Sequence, residues 1–330
     1  MTVDSMALGP ESSFLPSTIL KIDPLLSHHI IVVEKYGHRL FLYENKGSRP
    51  SLIKSYSVAT GKFSGNKNIQ GDKKTPEGPY IITDFRPSSK LIDLYGKEGE
   101  IYGAGAFVLN YPNPFDLAAQ KTGSGIWLHA TNDNRRISAG TDSRGCVVTT
   151  DEDLIDIARF VELGKTPFII TENHHFLPEK EWIKRRKKLE NLLNRWLKAW
   201  KDEDFSTYIS FYDPRSKNIQ NVRGRRTYAQ FRNYKRAVFA SPGKPLIKIS
   251  NISILRERDH LMIRFIQNYR SKNISDTGKK TLYLKQNSSY QWKIIHETWA
   301  SFRPSHGRVT FTPSQRFFLQ QEQVKKQAKN

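Results

Sequence analysis

The chain has 330 residues, of which 37% are apolar and 12% aromatic, with a net charge of +21 and one cysteine. That length suits two domains, and the apolar content lets each bury a core, which excludes a wholly disordered chain. No apolar run reaches the ~18 residues of a membrane-spanning helix, and a lone cysteine excludes an intrachain disulfide.

The charge is lopsided. Residues 1–175 hold 19 basic and 20 acidic side chains, whereas residues 176–330 hold 34 and 12. The surplus therefore sits wholly in the second half. Such asymmetry points to a polyanionic partner, whether nucleic acid, anionic wall polymer or membrane surface, against the plain alternative of a solvated basic face.

Residues 1–28 are polar, with Pro10, Pro16 and Pro24, and read as an arm, loose or docked. Met1–Leu20 lacks a basic start followed by an apolar core, so a signal peptide is expected to have been removed from this form. From His29 the text is rich in β-branched and aromatic residues, with a hairpin turn at Gly37-His38. Further strands are expected over Leu52–Ala59, Tyr80–Asp84, Ala106–Asn110 and Thr166–Thr171. Pro87–Gly105, with Tyr95 and Tyr102, reads as a rim or lid insertion.

The chemistry concentrates in Ser124–Asp153. Gly125–His129 reads as a strand ending in a histidine, and Cys146-Val147-Val148 as a short apolar strand. Between them lies a polar, turn-forming loop. A thiol is a good nucleophile only as thiolate, and a neighbouring imidazole is the usual activator. Gly145 permits backbone geometry that other residues resist, and the N–H groups of Gly145 and Cys146 are candidates for an oxyanion hole. Thr149 with Glu152 reads as a capping box opening a helix over about 150–163. His174-His175 reads as linker. No HExxH, CxxC or P-loop occurs, so neither metal nor cofactor is expected.

The second domain opens with an amphipathic helix over about 179–201. Leu189, Leu192, Leu193, Trp196, Leu197 and Trp200 form its apolar stripe, and Lys184–Lys188 a basic run. A short helix and several strands follow. This helix-then-curved-sheet order resembles the NTF2-like fold, an α+β cone in which Tyr208, Gln267, Tyr269 and Trp299 are either pocket lining or core. From Pro304 the text turns polar, as a tail or docking peptide.

The motifs of the first half resemble those of the L,D-transpeptidase catalytic (YkuD) family. The residues that carry this are Thr60-Gly61-Lys62, Thr75-Pro76-Glu77-Gly78, His129-Ala130 and Ser143-Arg144-Gly145-Cys146-Val147. The family has glycine where Ala130 stands and histidine where Arg144 stands. Arginine there, with the second domain, is more similar to the cell-shape-determining murein L,D-carboxypeptidases. The resemblance implies a mostly β catalytic domain (an L,D-transpeptidase-like β-sandwich) over 29–175, an NTF2-like domain over 176–303 and a tail over 304–330. It implies Cys146 as nucleophile, His129 as base, the Ala130 carbonyl as its orienting group and the Gly145 N–H as an oxyanion donor. Arg144, Ser143 and Trp127 are the expected substrate contacts.

The expected activity is trimming of peptidoglycan tetrapeptide stems through a Cys thioester, in the periplasm or cell envelope. The alternatives are a transpeptidase that forms crosslinks or exchanges D-amino acids, and a basic binding protein with an inactive catalytic half. Nucleic acid is disfavoured as partner because residues 176–330 lack glycine-aromatic RNA-binding signatures. An anionic wall or membrane surface fits the basic domain better. The sequence carries no signal for oligomeric state.

Overall fold

The computed structural model describes residues 13–302 except 48, 221–225, 242 and 273. The expected tail over 304–330 and the first twelve residues lie outside the described residues. The chain begins with strands β1 (Phe14–Pro16), β2 (Ile19–Lys21), β3 (His29–Glu34), β4 (Arg39–Lys46), β5 (Arg49–Ser57), β6 (Thr60–Gly61) and β7 (Gly78–Pro87). Helix α1 (Ser88–Tyr95) and a 3-10 helix (Gly96–Tyr102) follow, then β8 (Gly105–Leu109), α2 (Pro114–Ala118) and β9 (Trp127–His129). Next come α3 (Arg135–Ala139), β10 (Thr141–Ser143), β11 (Val147–Val148), α4 (Asp151–Ala158) and β12 (Pro167–Thr171). The second half holds β13 (Phe176–Pro178), α5 (Glu179–Lys201), α6 (Phe205–Ser210) and α7 (Tyr228–Phe239). It closes with the long strands β14 (Leu246–Glu257), β15 (His260–Arg270), β16 (Ser275–Gln286) and β17 (Trp292–Ser301).

An eight-stranded sheet in the order β11-β9-β8-β7-β12-β3-β4-β5 carries the first half. Its central strands are apolar on both faces, and the two faces serve different cores. In β3, Ile31 and Val33 join the core under α4, while Ile30 and Val32 face the other way. Leu40 and Leu42 of β4 follow the first pair, Phe41 and Tyr43 the second. Alternation along a strand makes this division unavoidable. The second face meets Leu255, Met262, Tyr283 and Ile295 of the five-stranded sheet β17-β16-β15-β14-β2. An apolar core thus joins the two halves.

The N-terminal segment is built into that joint. β2 extends the second sheet, with Ile19 opposite Leu255 and Lys21 opposite Ile254, and β1 pairs with β13. The residues read as an arm therefore supply strands from Phe14 onward.

A polar network lies beside the apolar joint. Lys35, 6% exposed, reaches Glu77 at 2.8 Å and Glu172 at 2.9 Å. Arg258, at the β14–β15 turn, reaches the other Glu77 oxygen at 2.9 Å. Thr171 donates to the buried Glu257 carboxyl, which burial pushes up to about 7.

Two expectations shift. The helix after the cysteine is capped by Thr150, whose hydroxyl accepts the Asp153 N–H, and runs only over Asp151–Ala158. Thr149 belongs to the sheet instead: its N–H donates to the His129 carbonyl at 2.9 Å and its hydroxyl to the Ser57 carbonyl at 3.5 Å. In α5 the fully packed residues are Trp182, Leu189, Leu193, Trp196, Ala199 and Trp200, while Leu192 and Leu197 lie at the margin. In the second domain Tyr208 is core, bonded to the Tyr212 hydroxyl at 2.7 Å, and Tyr269 stacks on Trp200.

Candidate active site

The site is made by two short parallel strands. β9 and β11 pair with Leu128 opposite Val147 and His129 opposite Val148. Extending that register by one residue sets Cys146 against Trp127. Side chains alternate along a strand, so Trp127, His129 and Cys146 share one face. Leu128 and Val147 take the opposite face and enter the main core. The apolar residues between the chemical ones therefore fix which way the latter point.

The turn before the cysteine is locked from within. The Ser143 hydroxyl donates to the Cys146 carbonyl at 2.6 Å and accepts the Gly145 N–H at 3.0 Å. The Thr75 hydroxyl donates to the Gly145 carbonyl at 3.0 Å and accepts the Gly61 N–H at 2.9 Å. The TG and TP motifs thus hold the turn rather than the substrate. Gly145 has φ +129°, and a Cβ there would stand 2.8 Å from the Lys74 carbonyl oxygen. Only glycine fits.

These bonds correct two expectations. Ser143 is buried, and its hydroxyl is spent inside the turn, so it is not a substrate contact. The Gly145 N–H is likewise engaged and does not face an oxyanion. The Cys146 N–H remains the candidate donor. The Thr149 N–H donates to the His129 carbonyl of β9 and the Val148 N–H to the Ala59 carbonyl, so the ladder register sets the Val147 N–H toward β9. By the same alternation the Cys146 N–H turns away from β9.

His129 is 3% exposed, and its Nδ1 lies 2.5 Å from the Ala130 carbonyl oxygen. A carbonyl only accepts, so Nδ1 carries the proton and Nε2 keeps its lone pair. Burial, helped by the charge of Arg136, lowers the imidazole to about 4 although the Ala130 bond opposes it. Burial pushes the Cys146 thiol up to about 11, against the Trp127 backbone bond and the charges of Arg136 and Lys67. The Cys146 Sγ is 3.4 Å from the Gly125 carbonyl oxygen. At neutral pH the resting pair is thus a thiol and a neutral imidazole, not the thiolate–imidazolium pair.

The rim insertion read from Pro87–Gly105 is α1 and the 3-10 helix, and its end closes over the site. The Tyr102 ring meets His129 edge-on at 4.9 Å and lies 5.3 Å from Trp127. Trp127 is buried, with the Arg86 guanidinium 4.8 Å from its ring centre. It forms a wall behind Tyr102 rather than an open contact. Tyr102 is the site residue that motif reading did not assign. An aromatic at the end of an insertion just before a core strand was its only signal.

Arg144 is exposed and forms no ion pair with any described residue. Its two acidic neighbours are engaged elsewhere. Asp133 is held by both Nε and Nη2 of Arg135 at 2.8 Å, and Asp142 by Arg136 Nε at 2.6 Å. The site thus offers a thiol, an oriented imidazole, an aromatic cover and one free guanidinium.

A mostly β domain that presents cysteine and histidine from adjacent strands, joined to a second cone-like domain, defines the class. Residues 28–170 match the L,D-transpeptidase catalytic domain, and residues 188–298 match the Cds6 C-terminal NTF2-like domain. The structure of Bdellovibrio bacteriovorus Bd1075 is similar over 89% of this chain and 100% of that one, with 31% identity and a TM-score of 0.75. The helical cell shape determining protein Pgp2 from Campylobacter jejuni is similar over 85% of this chain and 93% of that one, with 26% identity and a TM-score of 0.63. Comparison with curated proteins gave no match. The chain belongs to the L,D-transpeptidase catalytic-domain family, in a form with a C-terminal NTF2-like domain. It is accordingly a cysteine-type enzyme of a superfamily that acts on peptidoglycan stem peptides. Among the described residues no helix is long and apolar enough to cross a membrane.

Proposed function

We propose that this enzyme is an L,D-carboxypeptidase that removes the terminal D-alanine from tetrapeptide stems, acts in the periplasm and influences cell shape. The observation that carries this reading is the unpaired Arg144 two residues before the thiol. A carboxypeptidase must recognise a free terminal carboxylate, and a guanidinium matches that group with two parallel hydrogen bonds. With Asp133 and Asp142 held by other arginines, nothing among the described residues competes for it. Similarity to Pgp2, a helical cell shape determining protein, supports the biological role.

Cys146 attacks the carbonyl carbon of the amide that links the stem's diamino acid to the terminal alanine. The thiol proton passes to His129 Nε2 as the C–S bond forms, because neither partner is ionised beforehand. The Cys146 N–H stabilises the oxyanion. His129 returns the proton to the departing amine, leaving a thioester. His129 then takes a proton from water, whose oxygen attacks the thioester and frees the tripeptide and the thiol. Ala130 holds the imidazole in the tautomer each step needs, the part a carboxylate plays in other triads.

Incubation with purified disaccharide tetrapeptide followed by mass analysis tests the proposal. Loss of one alanine is the expected result. A linked dimer or an exchanged D-amino acid would replace it with the transpeptidase reading.

A further inference from the structure

Helix α5 carries a second face that the fold does not use. Lys180, Lys184, Lys187, Lys188 and Arg195 fall at i, i+4, i+7, i+8 and i+15, which is one stripe at helical spacing. The stripe runs ~22 Å at 1.5 Å per residue. All five are exposed, and none makes an ion pair with a described residue. Of the other helix cations, Arg185 is tied to Glu181, Lys198 to Asp202, and Arg186 lies over Trp182, while Lys201 at the helix end is exposed like the stripe; within the stripe Arg195 lies 5.9 Å from the Phe211 ring centre. The five cations of the stripe line one open hollow of about 600 Å³, flanked by the half-buried Ile183 and Leu192, which also pack against the core of the second half.

We propose that this stripe docks the enzyme on an anionic phospholipid surface. Two features favour lipid over other polyanions. Four of the five cations are lysines, which act as point charges suited to diffuse headgroup charge rather than to one oriented carboxylate. The half-buried aliphatic Ile183 and Leu192 flank them on either side, as apolar residues do on helices that rest at a headgroup boundary. Each basic residue near an anionic leaflet adds attraction that falls off within a Debye length. Docking by this face would hold the basic half of the chain against a membrane while the transpeptidase-like half stays in the aqueous layer.

Co-sedimentation of the full chain with phosphatidylglycerol/phosphatidylcholine vesicles tests this, with phosphatidylcholine vesicles as control. Binding to the anionic vesicles alone is expected, weakening as salt is raised. The triple variant Lys184→Glu, Lys187→Glu, Lys188→Glu should bind at least about tenfold more weakly. A Lys→Gln triple at the same positions should fall between, and unchanged melting temperatures establish that both variants fold. Equal binding by the variant and the parent would overturn the proposal. So would an absence of vesicle binding, whether or not stripe-dependent binding to purified sacculi or RNA is seen.

Discussion

Nδ1 of His129 lies 2.5 Å from the carbonyl oxygen of Ala130. The contact consumes the ring's one proton, so the second nitrogen is a base without any charge on the pair. Burial then holds the imidazole near 4, well under the ordinary 6.5. The histidine works only when neutral, so activity is lost as pH falls through about 4 and not through 6.5. The acid limb of kcat/KM, measured on tetrapeptide substrate, reads this directly. A limb near 6.5 would mean that the imidazole is solvated.

Arg144 is argued to hold a carboxylate with two bonds, which lysine cannot reproduce. Arg144→Lys should lower kcat/KM for tetrapeptide trimming by about tenfold to a hundredfold, the range for charged hydrogen bonds. Acylation by a small activated ester, which has no terminal carboxylate, should change little. Equal losses on both substrates would argue against carboxylate recognition.

The cysteine turn is held by bonds that sidestep the chemistry. Gly145→Ala places a methyl 2.8 Å from the Lys74 carbonyl oxygen at a backbone angle that alanine avoids, so both activity and melting temperature should fall. Ser143→Ala removes one hydroxyl that serves two bonds, which should cost about 1–3 kcal/mol. Urea denaturation measures both. A Ser143→Ala enzyme of normal stability would show that the turn is set by Gly145 alone.

Lys35 neutralises two carboxylates beside the joint between the halves, Glu77 and Glu172. Lys35→Met leaves Glu77, which is 3% exposed, with Arg258 alone. Breaking a buried ion pair from one side costs about 3–5 kcal/mol. Calorimetry should show a clear drop in melting temperature, and Arg258→Ala, at an exposed cation, a smaller one.

Three histidines, His129, His174 and His260, are each lowered to about 4 by burial. Groups with depressed folded values contribute stability above about 6.5 that disappears as pH falls toward 4. Glu257, raised to about 7, acts oppositely, since its contribution is full below its unfolded value and lost as pH rises through 7. Burial lowers His29 and His296 as well, and of the raised carboxyls Asp116, Asp153, Asp276 and Glu257 only the last is shifted far, so the imidazoles prevail and the melting temperature should fall between pH 6.5 and 4. A flat profile in that window would contradict the burial of these rings.

Much of the site was readable because it is local. The spacing of His129 and Cys146, with apolar residues that alternate around them, specifies two adjacent strands, and Gly145 marks an unusual backbone angle. The misreadings came from hydrogen bonds that residue types alone do not reveal. Ser143 looks like a substrate hydroxyl until its two partners inside the turn are known. Thr149 looks like a helix cap until its N–H is found in the β9 ladder. The same holds for the fold. Residues 14–21 read as a polar arm because their strand partners, β13 and β14, lie more than 150 residues away. The double-faced strand β3 reads only as apolar, since nothing in HIIVVE says that its two faces meet different domains.

In the proposed reaction Cys146 forms a thioester that water resolves. The direct measurement is digestion of disaccharide tetrapeptide in ¹⁸O-water, with mass analysis of the product. The expected product is a tripeptide carrying one ¹⁸O in its new carboxyl group, with none from Cys146→Ala. A product whose carbonyl is joined to a second amine, or tripeptide released by the Cys146→Ala enzyme, would contradict it.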